Sequence, residues 1–224
     1  MKNEITTRLV YTHFVSRIKP AASVADADAL APVLILLHGR GTDEHDLEGL
    51  VQFLDPRFEC YSLRAPFDFE YGGYTWFTLD AAGGTYDKKE LDEALESVID
   101  FVKQVSVAQG RQRKVFLFGF SMGAMMAMAA SLTHPELITG VVAHSGLVPE
   151  QADHLGIEWN ALSHCGFFIA HGTYDPVVPV AYGRRADELL KKSNAAFVYK
   201  EYPIEHEISQ ESLSDAASWL SEKI

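Results

Sequence analysis

The sequence predicts an α/β domain built around a doubly wound, mostly parallel β-sheet that is flanked by helices. Seven short runs along the 224 residues are mostly apolar, and continuous apolarity is typical of strands buried on both faces. Helical patterns lie between several of these runs, and strands that alternate with helices favour a sheet covered on both faces. No internal repeat or low-complexity tract interrupts the chain, so we expect residues 1–224 to form one domain.

The strand candidates follow one another along the whole chain. They are residues 8–16, 33–38, 58–64, 114–119, 140–145, 166–171 and 196–202. Between the first two lies the stretch 20–31, "PAASVADADALA", whose small and acidic residues predict a loop. Ligands of such sheets bind outside the carboxyl ends of the strands, so functional residues are sought directly after each strand candidate.

Apolar stripes at three- and four-residue spacing predict amphipathic helices at residues 43–54, 87–109 and 207–224. The longest of them has Asp87 and Glu90 available to cap its start, and Gly110 follows its end. Residues 122–133 are apolar nearly all round and rich in Ala and Met. Such a helix is typically buried tight against a sheet.

Charge and composition argue against several classes of function. A net charge of −12 repels phosphate backbones, so we expect no nucleic-acid partner. The start "MKNEITTRLV" has no apolar segment of a signal peptide, and no apolar run approaches the length of a membrane span. We therefore expect a cytoplasmic protein in which Cys60 and Cys165 are reduced, buried thiols. The oligomeric state stays open, with a homodimer as one alternative.

The pentapeptide "GFSMG" places Ser121 between Gly119 and Gly123, after an apolar strand and before a helix of small residues. G-x-S-x-G in this setting is typical of a nucleophile elbow, a sharp turn that exposes the serine hydroxyl at the top of the sheet. The glycines remove side chains that would clash with the neighbouring strand and helix. The pattern alone also fits a serine that merely caps the helix, so the hypothesis needs a base and an acid elsewhere in the chain.

A serine hydroxyl is a poor nucleophile unless a histidine takes its proton and a carboxylate orients that histidine. In a doubly wound sheet with this elbow the chain order is Ser, then Asp or Glu, then His. Asp175 in "HGTYDPVVP" and His206 in "YPIEHEIS" each follow a strand candidate, so each can reach the same edge of the sheet. Two rival bases are His171 and His144. His171 lies within or at the end of a strand and is interpreted as structural, whereas His144 ends another strand near the site but does not fit this chain order.

The first buried strand runs into the turn "HGRGTDEHDL", whose glycines allow backbone N–H groups to face the site. An oxyanion hole in this arrangement uses the N–H after the nucleophile and one from an early strand–helix loop. Met122 and Arg40 supply these two positions. We expect both to act through their backbone N–H groups.

The segments "LLHGRGTDEHDL", "SLRAP", "GFSMGA", "AHSG", "HGTYDPVVP" and "EHEIS" occur in this order. In this set the chain resembles the phospholipase/carboxylesterase family of α/β-hydrolases, which includes bacterial carboxylesterases and acyl-protein thioesterases. The resemblance runs from about residue 30 to the end. It implies an α/β-hydrolase fold and a serine esterase with Ser121, Asp175 and His206 as triad and Arg40 and Met122 as oxyanion donors. The thioesterases usually carry Gln where this chain has Met122, which favours an ester over a thioester.

Eleven residues at 67–77, "FDFEYGGYTWF", hold six aromatics and follow a strand on the site side. Trp76 is interpreted as a wall of the acyl pocket, and a loop that folds on its own aromatics is the alternative. The longest intervals between strands and helices, 65–86 and 146–165, are too short for a separate cap domain. We therefore expect selectivity for small to medium acyl chains, since each buried methylene adds about 0.8 kcal/mol only until the apolar wall ends.

The principal prediction is thus a serine hydrolase that acts on a small-molecule carboxylic ester. No HExxH motif, cysteine pair or acidic cluster at metal-ligand spacing occurs, and neither G-x-G-x-x-G nor a P-loop follows a strand, so we expect neither metal nor cofactor. A thioesterase or lysophospholipase with the same triad is the alternative enzyme. A non-catalytic small-molecule binder is the alternative from another class, and it predicts a damaged triad.

Overall fold

Seven strands form one sheet in the computed structural model, which describes residues 5–15, 30–79, 85–148 and 155–224. The strands are β1 Tyr11–Val15, β2 Val33–Leu37, β3 Glu59–Leu63, β8 Val115–Phe120, β9 Gly140–His144, β10 Gly166–Gly172 and β11 Ala196–Tyr202. The order across the sheet is β1-β3-β2-β8-β9-β10-β11. β1 is antiparallel to β3, and the other neighbours are parallel. Each predicted strand is present, and most of the predicted loop at 20–31 lies outside the described residues.

Two short hairpins lie outside this sheet. The first pairs β4 Phe67–Asp68 with β5 Tyr74–Thr75, and the second pairs β6 Val107–Ala108 with β7 Arg111–Gln112. The turn of the second hairpin consists of Gln109 and Gly110, both at positive φ of 55° and 72°. Such angles suit a two-residue hairpin turn whose twist matches that of the strands.

The helices cover both faces of the sheet. They are α1 Lys88–Val105, α2 Met122–Thr133, α3 Ala181–Leu190 and α4 Gln210–Lys223, with short 3₁₀ helices at Glu48–Phe53 and Trp159–Ala161. α1, α2 and α3 share one apolar core with alternate residues of the strands. α4 and the residues flanking the first 3₁₀ helix share a second core with the remaining strand residues. The prediction of a mostly parallel, doubly wound sheet flanked by helices is confirmed.

Three predicted helices are shorter in the structure, and the one at 207–224 differs least, as α4 Gln210–Lys223. The stripe at 43–54 forms only the 3₁₀ helix Glu48–Phe53. The residues before it belong to a loop in which Glu44 is held by Arg64. The helix predicted at 87–109 ends at Val105, and Gly110 turns a hairpin instead of ending the helix. Its start is as predicted, since the carboxylate of Asp87 accepts a hydrogen bond from the N–H of Glu90.

The sequence pattern predicts no helix at 181–190, where α3 lies. The buried residues of α3 are Gly183, Ala186 and Leu190, and two of the three are too small to produce an apolar stripe. A helix of this kind is stabilised by close packing on the sheet and not by large apolar side chains. Its position matters for the site, because it lies against the end of β10.

Candidate active site

Ser121 lies between β8 and α2 in a backbone conformation that few residues adopt, with φ 55° and ψ −120°. Its N–H donates to the carbonyl of His144 on β9 over 2.9 Å, which holds the turn to the sheet. A Cβ at Gly119 would overlap the carbonyl of Gly123, and a Cβ at Gly123 would overlap the carbonyl of Leu37. A left-handed conformation at a non-glycine residue costs about 1–3 kcal/mol and is a feature of functional sites.

His206 lies within hydrogen-bonding distance of both Ser121 and Asp175. Its Nε2 is 2.9 Å from the Ser121 Oγ, and its Nδ1 is 2.7 Å from Asp175 Oδ2. A carboxylate only accepts, so Nδ1–H donates to Asp175 and Nε2 is left to accept from the serine hydroxyl. The structure therefore brings together three residues that are 54 and 31 positions apart along the chain.

The carboxylate of Asp175 is held by the turn that follows β10. Its Oδ1 accepts from the N–H groups of Val177 and Val178 over 2.9 and 2.8 Å, and its side chain has no exposed surface. Burial by itself would raise the pKa of Asp175, but the hydrogen bonds from His206 and from these N–H groups outweigh it and lower the pKa below its ordinary value. Asp175 is thus a carboxylate held in one orientation.

The two rival histidines are both buried and both have other partners. His171 Nε2 lies 2.8 Å from the carbonyl of Val178, and burial lowers its pKa. His144 lies between the hydroxyls of Ser145 and Ser212, at 3.1 and 2.9 Å, and burial lowers its pKa to about 3. Both are neutral near pH 7, and the imidazole beside the Ser121 hydroxyl is that of His206.

The loop after β2 passes directly beside Ser121. A Cβ at Gly39 would lie 3.4 Å from the Cβ of Ser121. The N–H of Gly41, at φ 86°, donates to the carbonyl of Tyr74 over 2.8 Å, so this donor points away from the site. Arg40, between these glycines, has its guanidinium 5.3 Å from the centre of the Phe69 ring.

A sequence model of the family described as Phospholipase/Carboxylesterase matches residues 20–224. The chain belongs to the phospholipase/carboxylesterase family. This family member is similar to acyl-protein thioesterase 1 of Debaryomyces hansenii, with 30% identity over 162 residues that cover 67% of this chain and 69% of that protein. It is also similar to acyl-protein thioesterase 1 of Saccharomyces cerevisiae, with 27% identity over 217 residues, 85% of this chain and 92% of that protein.

The fold gives the same result. The crystal structure of the Bacillus cereus carboxylesterase superimposes on this family member with a TM-score of 0.78 and 25% identity, over 97% of this chain and 95% of that one. The protein is therefore an α/β-hydrolase-fold enzyme of the carboxylesterase and acyl-protein thioesterase type.

Trp76 does not lie where the sequence reading placed it. Its side chain is 0% exposed, so it offers no surface to a substrate and is not a wall of an open acyl pocket. The indole Nε1 donates to the carbonyl of His38 over 2.9 Å. The ring packs in the core beneath the loop that carries Arg40. Its apolar surface supports this loop, and its N–H pairs with a buried carbonyl.

The same loop of this hydrolase is fixed by His38 itself. The imidazole accepts from the N–H of Ala65 at Nε2, over 3.0 Å, and Nδ1 lies 2.6 Å from the carbonyl of Gly39. These two contacts require the neutral ring with the proton on Nδ1, and burial accordingly lowers the pKa of His38. His38 therefore joins the loop after β2 to the loop after β3.

The sequence reading also missed an ion pair between these two loops. Arg64 donates from Nε and Nη2 to the carboxylate of Glu44 over 2.5 and 2.6 Å, and Glu44 is only 3% exposed. The bidentate pair lowers the pKa of Glu44. A signal was available, because both residues follow closely on apolar strands that pair in the sheet.

Met122 begins α2 with its side chain directed into the core. The side chain is 3% exposed, and its Sδ lies 3.2 Å from the hydroxyl of Thr75. As the first residue of the helix, Met122 has a backbone N–H without a partner inside the helix. The Met122 side chain therefore belongs to the core.

Cys60 and Cys165 are both free and both buried, as the sequence reading predicted. Burial raises the pKa of Cys60 to about 12 and raises that of Cys165 as well. Such thiols stay protonated and are poor nucleophiles.

Within the described ranges, no group of three or more His, Cys, Asp or Glu residues is arranged to hold a metal ion. None of the helices in those ranges is both long and apolar enough to cross a membrane.

Proposed function

We propose that this hydrolase cleaves carboxylic esters by nucleophilic catalysis, with Ser121 as nucleophile, His206 as general base and acid, and Asp175 as the group that orients His206. One observation carries the proposal: the hydrogen-bonded chain from the Ser121 Oγ through His206 to Asp175, at 2.9 and 2.7 Å. This arrangement meets the geometric requirement for proton transfer from a serine hydroxyl.

In the first half-reaction, the Ser121 Oγ attacks the ester carbonyl carbon while its proton passes to His206 Nε2. The tetrahedral intermediate then collapses, the carbon–oxygen bond to the alcohol breaks, and the leaving alkoxide takes the proton from His206. The products are the free alcohol and an acyl-enzyme on Ser121. Asp175 keeps the proton of His206 on Nδ1 and stabilises the imidazolium that forms between the two transfers.

In the second half-reaction, water attacks the acyl-enzyme and gives its proton to His206. Collapse of this second intermediate returns the proton to the Ser121 Oγ and releases the carboxylic acid. We assign the backbone N–H groups of Arg40 and Met122 to the negative oxygen of both intermediates. Two such donors in a site of this kind contribute about 3–4 kcal/mol each to the transition state.

We further propose esters of small to medium acyl chains as substrates. Ser121 is half-buried and the side chain of His206 is 16% exposed, so both residues are partly accessible to solvent. Residues 67–75 of the interval 65–86 form the β4–β5 hairpin, which packs against the loop of Arg40. An open site buries only part of a long chain, so each further methylene ceases to add binding energy beyond that part.

Thioesters are the second candidate substrates, and one observation favours keeping them. The Met122 side chain is buried, so the replacement of Gln by Met at this position puts no methionine side chain into the site and is weak support for ester over thioester. The relatives in two yeasts are named acyl-protein thioesterases. The same triad would release a thiol in place of an alcohol.

The test is active-site labelling with a serine-reactive fluorophosphonate, followed by peptide mapping. The wild-type protein should be labelled on Ser121, and Ser121→Ala should lose both the label and turnover of p-nitrophenyl, thioester and lysolipid substrates while it keeps its thermal unfolding temperature. Labelling that persists in folded Ser121→Ala would refute the assignment of the nucleophile.

A further inference from the structure

His171 lies beneath the proposed triad and the mechanism above does not use it. It is the penultimate residue of β10, its side chain has no exposed surface, and its Nε2 lies 3.6 Å from Asp175 Oδ2. That distance is too long for a hydrogen bond. A buried imidazole beside a proposed catalytic carboxylate, but not bonded to it, calls for another explanation.

The partner of His171 is the carbonyl of Val178, 2.8 Å from Nε2. A carbonyl only accepts, so the proton of this neutral ring lies on Nε2. The N–H of the same residue, Val178, donates to Asp175 Oδ1 over 2.8 Å. Val178 is thus held by His171 through its carbonyl and holds Asp175 through its N–H.

The other side of the ring is fixed by α3. A Cβ at Gly183 would lie 2.8 Å from His171 Nδ1 and 3.0 Å from its Cβ, so the ring rests directly on the helix backbone. His171 Nδ1 is buried without a hydrogen-bond partner among the described residues. An unpaired buried nitrogen costs free energy, so a residue chosen for stability alone would more suitably be apolar.

From these contacts we infer that His171 is a positioning residue, which fixes the turn from Asp175 to Val178 and through it the orientation of the His206 ring towards Ser121. The inference rests on the proposed function and extends it to a fourth side chain. His171 touches no reacting atom, and its effect passes through the peptide unit of Val178.

The experiment compares His171→Leu with His171→Gln. Leucine fills the space but cannot donate, whereas the side-chain amide of glutamine can place its nitrogen near the position of Nε2. His171→Leu should lower kcat about 10- to 100-fold and leave KM within about 3-fold, because a displacement on the order of 1 Å in a catalytic group has effects of this size. His171→Gln should stay within about 3-fold of wild type in kcat.

A second readout does not depend on activity. The Nδ1 proton of His206, held by Asp175, should give a downfield proton NMR resonance that is absent in Asp175→Ala. We expect it to be broadened or lost in His171→Leu and retained in His171→Gln. If the wild-type protein shows the resonance but no serine hydrolase activity, the proposed function fails while the positioning role is still tested.

Gly183→Ala provides a variant outside the turn. Its Cβ should push the His171 ring away from Val178 and lower kcat as His171→Leu does, while alanine favours the helix. The double variant His171→Leu/Gly183→Ala should cost less than the sum of the two single effects, because both changes act on the same contact with Val178. If His171→Leu does not fold, Gly183→Ala decides alone. The inference would be overturned if His171→Leu and Gly183→Ala, where they fold, keep the wild-type kcat and an unchanged His206 resonance.

Discussion

The indole Nε1 of Trp76 donates a hydrogen bond to the main-chain carbonyl of His38, 2.9 Å away, from a side chain with no exposed surface. His38 is the last residue before the loop of Gly39, Arg40 and Gly41, which passes beside Ser121. Trp76 therefore supports the backbone on which the proposed oxyanion donor is carried.

Trp76→Phe should consequently impair catalysis without changing the preference for acyl length. Loss of the donor leaves the carbonyl of His38 unpaired, at a cost of about 1–3 kcal/mol in the free energy of unfolding. We expect a melting temperature lower by about 2–4 °C per kcal/mol, and a kcat for p-nitrophenyl esters reduced by a common factor at every chain length.

Trp219→Phe is the matched control for this prediction. Trp219 is buried on α4 and packs near Gly140 and Gly166, which begin β9 and β10 at the edge opposite the site. It should lower the melting temperature and leave kcat unchanged. A changed ratio of medium-chain to acetyl rates in Trp76→Phe would instead return this residue to the acyl pocket.

His206→Ala and Asp175→Ala test the unit formed by the triad. Loss of His206 should cost about 10⁴- to 10⁶-fold in kcat, nearly as much as loss of Ser121, and loss of Asp175 should cost about 10⁴-fold or less. Combining either change with Ser121→Ala should add almost nothing, because the three groups act together. His164→Ala, an exposed histidine away from the site, is the control, and a metal chelator should have no effect. Near-normal turnover in His206→Ala would contradict the assignment of the base.

The acyl-chain profile tests the open site. With p-nitrophenyl esters from acetate to palmitate, kept below their aggregation limits, kcat/KM should rise over the first methylenes and then fall. The rise reflects about 0.8 kcal/mol per buried methylene, and it ends where the apolar surface ends. A value of kcat/KM that increases steadily to palmitate would show that a longer apolar channel exists and would reject this selectivity.

Buried neutral histidines should make the protein less stable in mild acid. Burial lowers the pKa of His144 from 6.5 to about 3, and those of His38 and His171 are lowered as well. Between pH 6.5 and about 3, His144 is protonated in the unfolded chain but neutral in the folded one. The free energy of unfolding therefore falls as pH drops below 6.5. Each fully shifted group contributes about 1.4 kcal/mol per pH unit.

The window from pH 6.5 down to about 5 isolates this effect, since the carboxyl groups titrate below it in the unfolded chain. His45 acts in the opposite direction, because its hydrogen bond with Glu48 raises its pKa and adds stability that is lost as pH rises. We expect the free energy of unfolding of His144→Gln, measured with denaturant, to change less steeply with pH across this window than that of the wild type. The difference in slope should correspond to at most one proton. A slope equal to that of the wild type would mean that His144 takes up its proton equally in the folded and unfolded protein, and would contradict the lowered pKa.

The sequence by itself determined where the seven strands of the main sheet lie along the chain and which residues follow each strand. The continuous apolar runs from Val33–Leu37 to Gly166–Gly172 predict inner strands, because strands buried on both faces are apolar at nearly every position. The glycines around Ser121 and the positions of Asp175 and His206 after strands are likewise local patterns. They require only that the carboxyl ends of parallel strands meet at one edge.

Only the tertiary structure decided which side chains share a hydrogen bond and which are buried. Trp76 and Met122 are predicted site residues and His171 precedes Asp175 by four positions, yet the side chains of all three are buried in the core. Their direction depends on partners far away in sequence, such as His38 for Trp76 and Thr75 for Met122. A one-dimensional pattern records how often an apolar residue recurs but not which residue packs against it, and packing determines whether a side chain near the site contacts the substrate or supports the backbone beneath it.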